Sequence, residues 1–178
     1  MRRRLAIACL ALMSVASAAR AGEIVIDFEQ AEIGKPAPTW TDQGVVFKLA
    51  RPLEHSKATG RITFFPHLAT NHKGLVNAMA AEQAIPVQAT FPVSASSVTL
   101  VLWGSTGCPA LLEALDANGQ VVDQVSLVSV PGRKKPADPV PFIELTVKAP
   151  AIAAIRFSGP RDGEFLAADE IRITTAAQ

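Results

Sequence analysis

Short apolar runs, several of them alternating with polar residues, recur along the chain: Ile24 to Phe28, Val45 to Leu49, Ile62 to Phe65, Val87 to Phe91 and Val98 to Trp103. The series continues with Leu111 to Leu115, Val121 to Val128, Phe142 to Val147, Ile152 to Phe157 and Phe165 to Ile173. Gly, Pro, Asn or Asp punctuate the intervals, and the runs have the length of strands rather than helices. About ten short strands at even spacing predict an all-β sandwich or barrel.

The clearest local signal is Leu111 to Val122, where Asn118-Gly119 offers two residues tolerant of positive φ between apolar runs. It predicts a tight hairpin, since Gly119 would interrupt a helix and the β-branched residues that follow favour a pleated surface. Leu75 to Ala84, rich in Ala, Met, Glu and Gln and free of Pro, is the best candidate for a helical turn, its type left open. Ala50 to Gly60 and Pro131 to Pro141 read as long loops; in the second, four prolines remove backbone donors. No internal repeat or heptad pattern is present, which argues against a solenoid or a coiled coil.

The N-terminus changes the picture. Met1-Arg2-Arg3-Arg4, an apolar stretch from Leu5 to Val15 and the small-residue string ending Ala19-Arg20-Ala21 have the form of a secretory signal peptide, with cleavage expected before Gly22. Residues 1–21 are thus assigned to the leader and 22–178 to a single β-sandwich domain, exported to the periplasm or the medium. Without the four leader arginines, 13 basic residues face 16 acidic ones, which leaves no nucleic-acid footprint. Only Cys108 remains beyond the leader, so no disulfide framework is possible and a buried small apolar role is the simplest one for it. Thr174 to Gln178 carries no hydrophobic anchor.

Ile26-Asp27-Phe28-Glu29, followed by Gly34, Trp40 and Gly44-Val45-Val46-Phe47, resembles the first strands of secreted galactose-binding-like jelly-roll domains of the carbohydrate-binding-module type. Ser97 to Leu100, Leu112 to Gly119, Ile152 to Phe157 and Ala168 to Ile171 resemble their late strands. The resemblance implies an antiparallel jelly roll and a structural calcium ion held by an acid on the first strand and one on the last. Those positions fall on Glu29 and Asp169, with Asp27 or Asp116 as substitutes and the remaining ligands unidentified. It also implies sugar stacking on exposed aromatics. With no Tyr in the chain, Trp40 and Trp103 are the candidate platforms, although a tryptophan within a strand pattern is more often a core residue.

Complete catalytic signatures are missing. His55, His67 and His72 share one stretch, but their spacing matches no recognised metal motif, and neither Ser56, Thr59 nor Ser105 lies in a nucleophile elbow. Arg133-Lys134-Lys135 forms a basic loop tip, with Arg133 the candidate contact to an anionic polysaccharide or envelope surface. The expected function is a non-catalytic binding module for a glycan or another envelope component. A structural or protein-interaction domain comes second, and a metal-dependent hydrolase using the His55 to His72 region third.

Overall fold

A computed structural model of the chain describes residues 22–50, 61–67, 70–77, 85–104, 107–135, 138–158 and 166–176. The strands are β1 (Glu23–Ile26), β2 (Thr39–Asp42), β3 (Val45–Leu49), β4 (Ile62–Pro66), β5 (Lys73–Asn77), β6 (Val87–Gly104), β7 (Ala110–Leu115), β8 (Val121–Leu127), β9 (Ile143–Ser158) and β10 (Leu166–Thr175). All pairings are antiparallel, and no helix occurs among the described residues.

Two strands are long enough to serve both layers of the sandwich. The first half of β6 pairs with β3 through Val87 to Thr90, whereas its second half pairs with β10 from Ala95 to Gly104. β9 follows β6 along its whole length, but the register slips between Thr90↔Ala154 and Ala95↔Ile152 and again before Ser97↔Lys148. These irregularities are the corner at which both strands turn from one sheet into the other. Sheet I therefore runs β4, β5, β10, second half of β6, first half of β9, with β1 also on β10; sheet II runs β2, β3, first half of β6, second half of β9, β7, β8. The result is an antiparallel β-sandwich of jelly-roll character.

Period-two alternation orients both sheets. In sheet II, Phe47, Ala89, Ile155 and Ala114 form one inward row, and in sheet I, Ile26, Ile171, Leu100 and Leu145 form another. Both rows belong to a single core cluster that includes Cys108. Phe28, fully buried, meets Trp40, Phe47 and Phe64 at ring-centroid distances of 5.5, 5.4 and 6.0 Å.

The expected segments Val87 to Phe91 and Val98 to Trp103 are one continuous strand, as are Phe142 to Val147 and Ile152 to Phe157 apart from Phe142 itself. β2 and β5 were not anticipated. Leu75 to Asn77, placed at the start of a candidate helical turn, is strand because Leu75 pairs with both Ala168 and Phe64 and fills the core; residues 78–84 lie outside the described part. Tertiary pairing overrides local helix propensity there. β2 and β3 are joined by Gln43-Gly44, both at positive φ, the I′ arrangement suited to strand twist. The anticipated β7–β8 hairpin is present, though wider than two residues. The Gly119 N–H donates to Asp116 O, only Gly119 takes positive φ, and Asp116 Oδ1 accepts the N–H groups of Asn118 and Gln120.

Candidate functional site

Outward-facing residues of sheet II bring polar chemistry together across five strands. The register Lys48↔Gln88↔Arg156↔Glu113↔Gln124 places one polar side chain from β3, β6, β9, β7 and β8 in a single row. Neighbouring strands lie roughly 4.8 Å apart, so the row spans about 19 Å. Arg156 Nε donates to Glu113 Oε2 at 3.1 Å, a half-buried ion pair that fixes the guanidinium against the sheet. Beside the row opens a cleft of about 330 Å³, lined among others by Gln88, Thr90, Arg156 and Ala154 and walled by Asp116, Ala117 and Gly119 of the β7–β8 turn. Gln88 Nε2 is 3.4 Å from Thr90 Oγ1.

The predicted aromatic platforms lie elsewhere and are largely covered. Trp40 sits opposite Phe47 on the inward side of β2, its ring 5.2 Å from Phe64 and 5.4 Å from Phe47. The aromatic cluster on the core side of sheet II accounts for this tryptophan. Trp103 is buried on the outer side of sheet I, in a small cluster with Val76 and Ala167. Its ring meets His67 edge-on at 5.0 Å. Arg133 is exposed on the proline-rich loop and is not among the residues that line the cleft.

His67 is buried, and its ring is satisfied on both sides: Thr70 N–H donates to Nδ1 at 3.3 Å, so Nε2 carries the proton and donates to Val140 O at 3.2 Å. It also packs 4.7 Å from Phe142. These contacts pin the proline-rich loop to the outer side of sheet I. His72 is exposed, with Nδ1 3.5 Å from Asp169 Oδ2. His55 lies outside the described residues, among which no group of three or more His, Cys, Asp and Glu is arranged to hold a metal ion.

Asp169 is the extra residue of a bulge in β10, between Ala168↔Leu102 and Glu170↔Val101. Its Oδ1 is buried without a hydrogen-bond partner among the described residues. Burial pushes its carboxyl above the ordinary value of 3.8; His72, by charge and by hydrogen bond, and then His67 pull it back, while Glu170 adds to the rise. A carboxyl raised in the folded state contributes fully below its ordinary pKa and loses that contribution as pH rises through the folded value. Asp169→Asn, which is never charged, is therefore expected to be more stable than the parent at neutral pH. The advantage should fade as pH falls through the raised folded value and be gone below about 3.8. Thermal melts from about pH 3 to pH 8 check this; an advantage independent of pH would contradict it.

Glu29, the other expected calcium ligand, is engaged by Lys73. The Lys73 N–H donates to Glu29 Oε1 at 3.1 Å, and the ammonium donates to the carbonyls of Glu29 and of Ala31, the latter at 2.9 Å. Asp27 Oδ1 accepts the Glu29 N–H at 3.1 Å, and Asp116 is committed to its own turn. A calcium ion on these loop carbonyls would meet an ammonium already bonded to them, so the residues present do not fit that ion.

No protein-family model and no curated relative matches the sequence. Among solved structures, the chain is similar to the K1 cleaved adhesin domain of Lys-gingipain from Porphyromonas gingivalis W83, with 11% identity over 86% of this chain and 98% of that one and a TM-score of 0.43. It is also similar to BiXyn10A CBM1, with 15% identity over 86% and 97% and a TM-score of 0.45. For TmCBM61, solved with β-1,4-galactotriose, identity is 13% over 84% and 94% and the TM-score is 0.39.

Proposed function

We propose that this protein is a non-catalytic glycan-binding module whose ligand lies across the outer face of sheet II. The observation that carries this reading is the polar row from Lys48 to Gln124 beside the cleft lined by Gln88, Thr90, Asp116 and Arg156. A sugar hydroxyl both donates and accepts, and this surface offers both partners: an amide, a hydroxyl, a carboxylate and a guanidinium. Glu113 engages Arg156 through Nε and no bond from its Nη amino groups occurs among the described residues, an arrangement preorganised for a ligand. With no aromatic platform among the described residues of the cleft, recognition rests on hydrogen bonds, and a moderate affinity is expected. Export by the Met1 to Ala21 leader would deliver the domain to where envelope and extracellular glycans are found.

The test is binding of the purified protein to a broad glycan panel, repeated with Arg156→Ala and Gln88→Ala. A selective ligand is expected, with affinity reduced about tenfold or more by Arg156→Ala, since hydrogen bonds to charged groups contribute about 1.5–3 kcal/mol. Gln88→Ala should weaken binding less, and both variants should remain folded. Unaltered binding in both would remove the cleft from the mechanism. A silent panel would favour a protein-interaction domain, for which the exposed Val121, Val122 and Val128 at and beside edge strand β8 are the specific feature.

A further inference from the structure

We infer that Lys73 is the resident cation of the loop between β1 and β2, and that its ammonium holds there the carbonyl oxygens a bound metal ion would otherwise gather. Three contacts, all between residues more than 40 positions apart in sequence, converge on this one side chain and its backbone. The ammonium donates to Glu29 O and to Ala31 O, and the Lys73 N–H donates to Glu29 Oε1. Lys73 opens β5, where Pro66↔Lys73 begins the pairing with β4, so its position is set by the sheet and not by the loop it binds. The loop in turn is closed by Ala31 N–H donating to Phe28 O at 3.0 Å. A fixed strand thus extends a positive charge into an irregular segment whose carbonyls have no ladder partners, which is the task a structural cation performs.

The charges agree with this assignment. Calcium takes six to eight oxygens, whereas Glu29 and Asp27 each have one carboxylate oxygen committed to a backbone N–H and Asp169 Oδ2 lies 3.5 Å from His72 Nδ1. A divalent ion on the Glu29 and Ala31 carbonyls would stand against the ammonium bonded to them. Lysine supplies three donors with no dependence on external ion supply.

The experiment has three arms. The melting temperature of the purified protein is measured in calcium and in excess EGTA, and is expected to be the same within about a degree; a calcium-dependent rise would overturn the inference. Lys73→Met keeps the length of the side chain and removes its charge and donors, and is expected to melt about 4–10 °C lower; an unchanged melt would overturn it too. Should that variant fail to fold, amine acylation of the parent protein decides the matter. Lys73 is expected to resist a water-soluble acetylating reagent at least tenfold more than the exposed Lys35 and Lys48, and labelling of all three at one rate would show that the ammonium is not held.

Discussion

Replacing Phe28 by alanine is expected to cost about 3–5 kcal/mol, the range for deleting a fully buried phenylalanine, and to lower Tm by roughly 6–20 °C for a chain of this length. Phe28 is completely buried and makes ring contacts with Trp40, Phe47 and Phe64, so its removal opens a cavity that three large neighbours cannot close together. Its backbone adds a second cost. At φ 59° it sits in the left-handed region, where a bulky residue stands only if its surroundings over-determine it. Alanine retains the Cβ that makes this conformation unfavourable, so the strain persists while the packing that offsets it is lost. Phe28→Gly relieves the strain and should be less damaging than the cavity alone implies. Denaturant melts of the two variants check both statements, and a loss below about 1 kcal/mol for Phe28→Ala would show that the aromatic cluster does not anchor the loop.

Gly74→Ala is expected to destabilise by about 1–3 kcal/mol, although alanine in place of glycine within a strand is ordinarily an improvement. A Cβ at position 74 would stand 2.8 Å from the Ala167 Cβ and 3.1 Å from Trp103 Cζ2 and Nε1. The alanine methyl of β10 moves only with its backbone. Trp103 is itself confined by His67 and Val76, so neither neighbour yields cheaply. Glycine at this point lets the indole approach β5 closely. Thermal unfolding of Gly74→Ala measures the cost, and a variant as stable as the parent would mean that Trp103 can shift.

Strand existence was readable because it is encoded locally. The runs at Val45, Ile62, Leu111 and Val121 are short, apolar and bounded by turn residues, as strands are, and the observed strands begin within a residue of them. β2 and β5 are not legible as strands in the sequence, since Thr39-Trp40-Thr41-Asp42 is short and mostly polar and Leu75 to Asn77 opens a stretch whose composition suits a helical turn; both are strands through their partners. The candidate site was much less readable. Lys48, Gln88, Glu113, Gln124 and Arg156 show no spacing in sequence, because a cross-strand row depends on five registers at once. The outward position of each in its own strand was the one available signal. Trp40 and Trp103 are candidate sugar platforms by the resemblance, which does not say which side of a strand faces water.

By itself, the sequence determined the all-β class, the approximate strand boundaries and the two-sided character of each strand, since these follow from local periodicity and turn chemistry. Tertiary structure decided everything that depends on partners. It merged four expected strands into β6 and β9 and bent both between the sheets, turned Trp40 toward the core and set the Lys73 ammonium on the carbonyls of Glu29 and Ala31. It also assembled the polar row of sheet II. The physical reason is the same in each case: a hydrophobic period fixes which side of a strand is apolar, but only long-range pairing fixes what lies beside it.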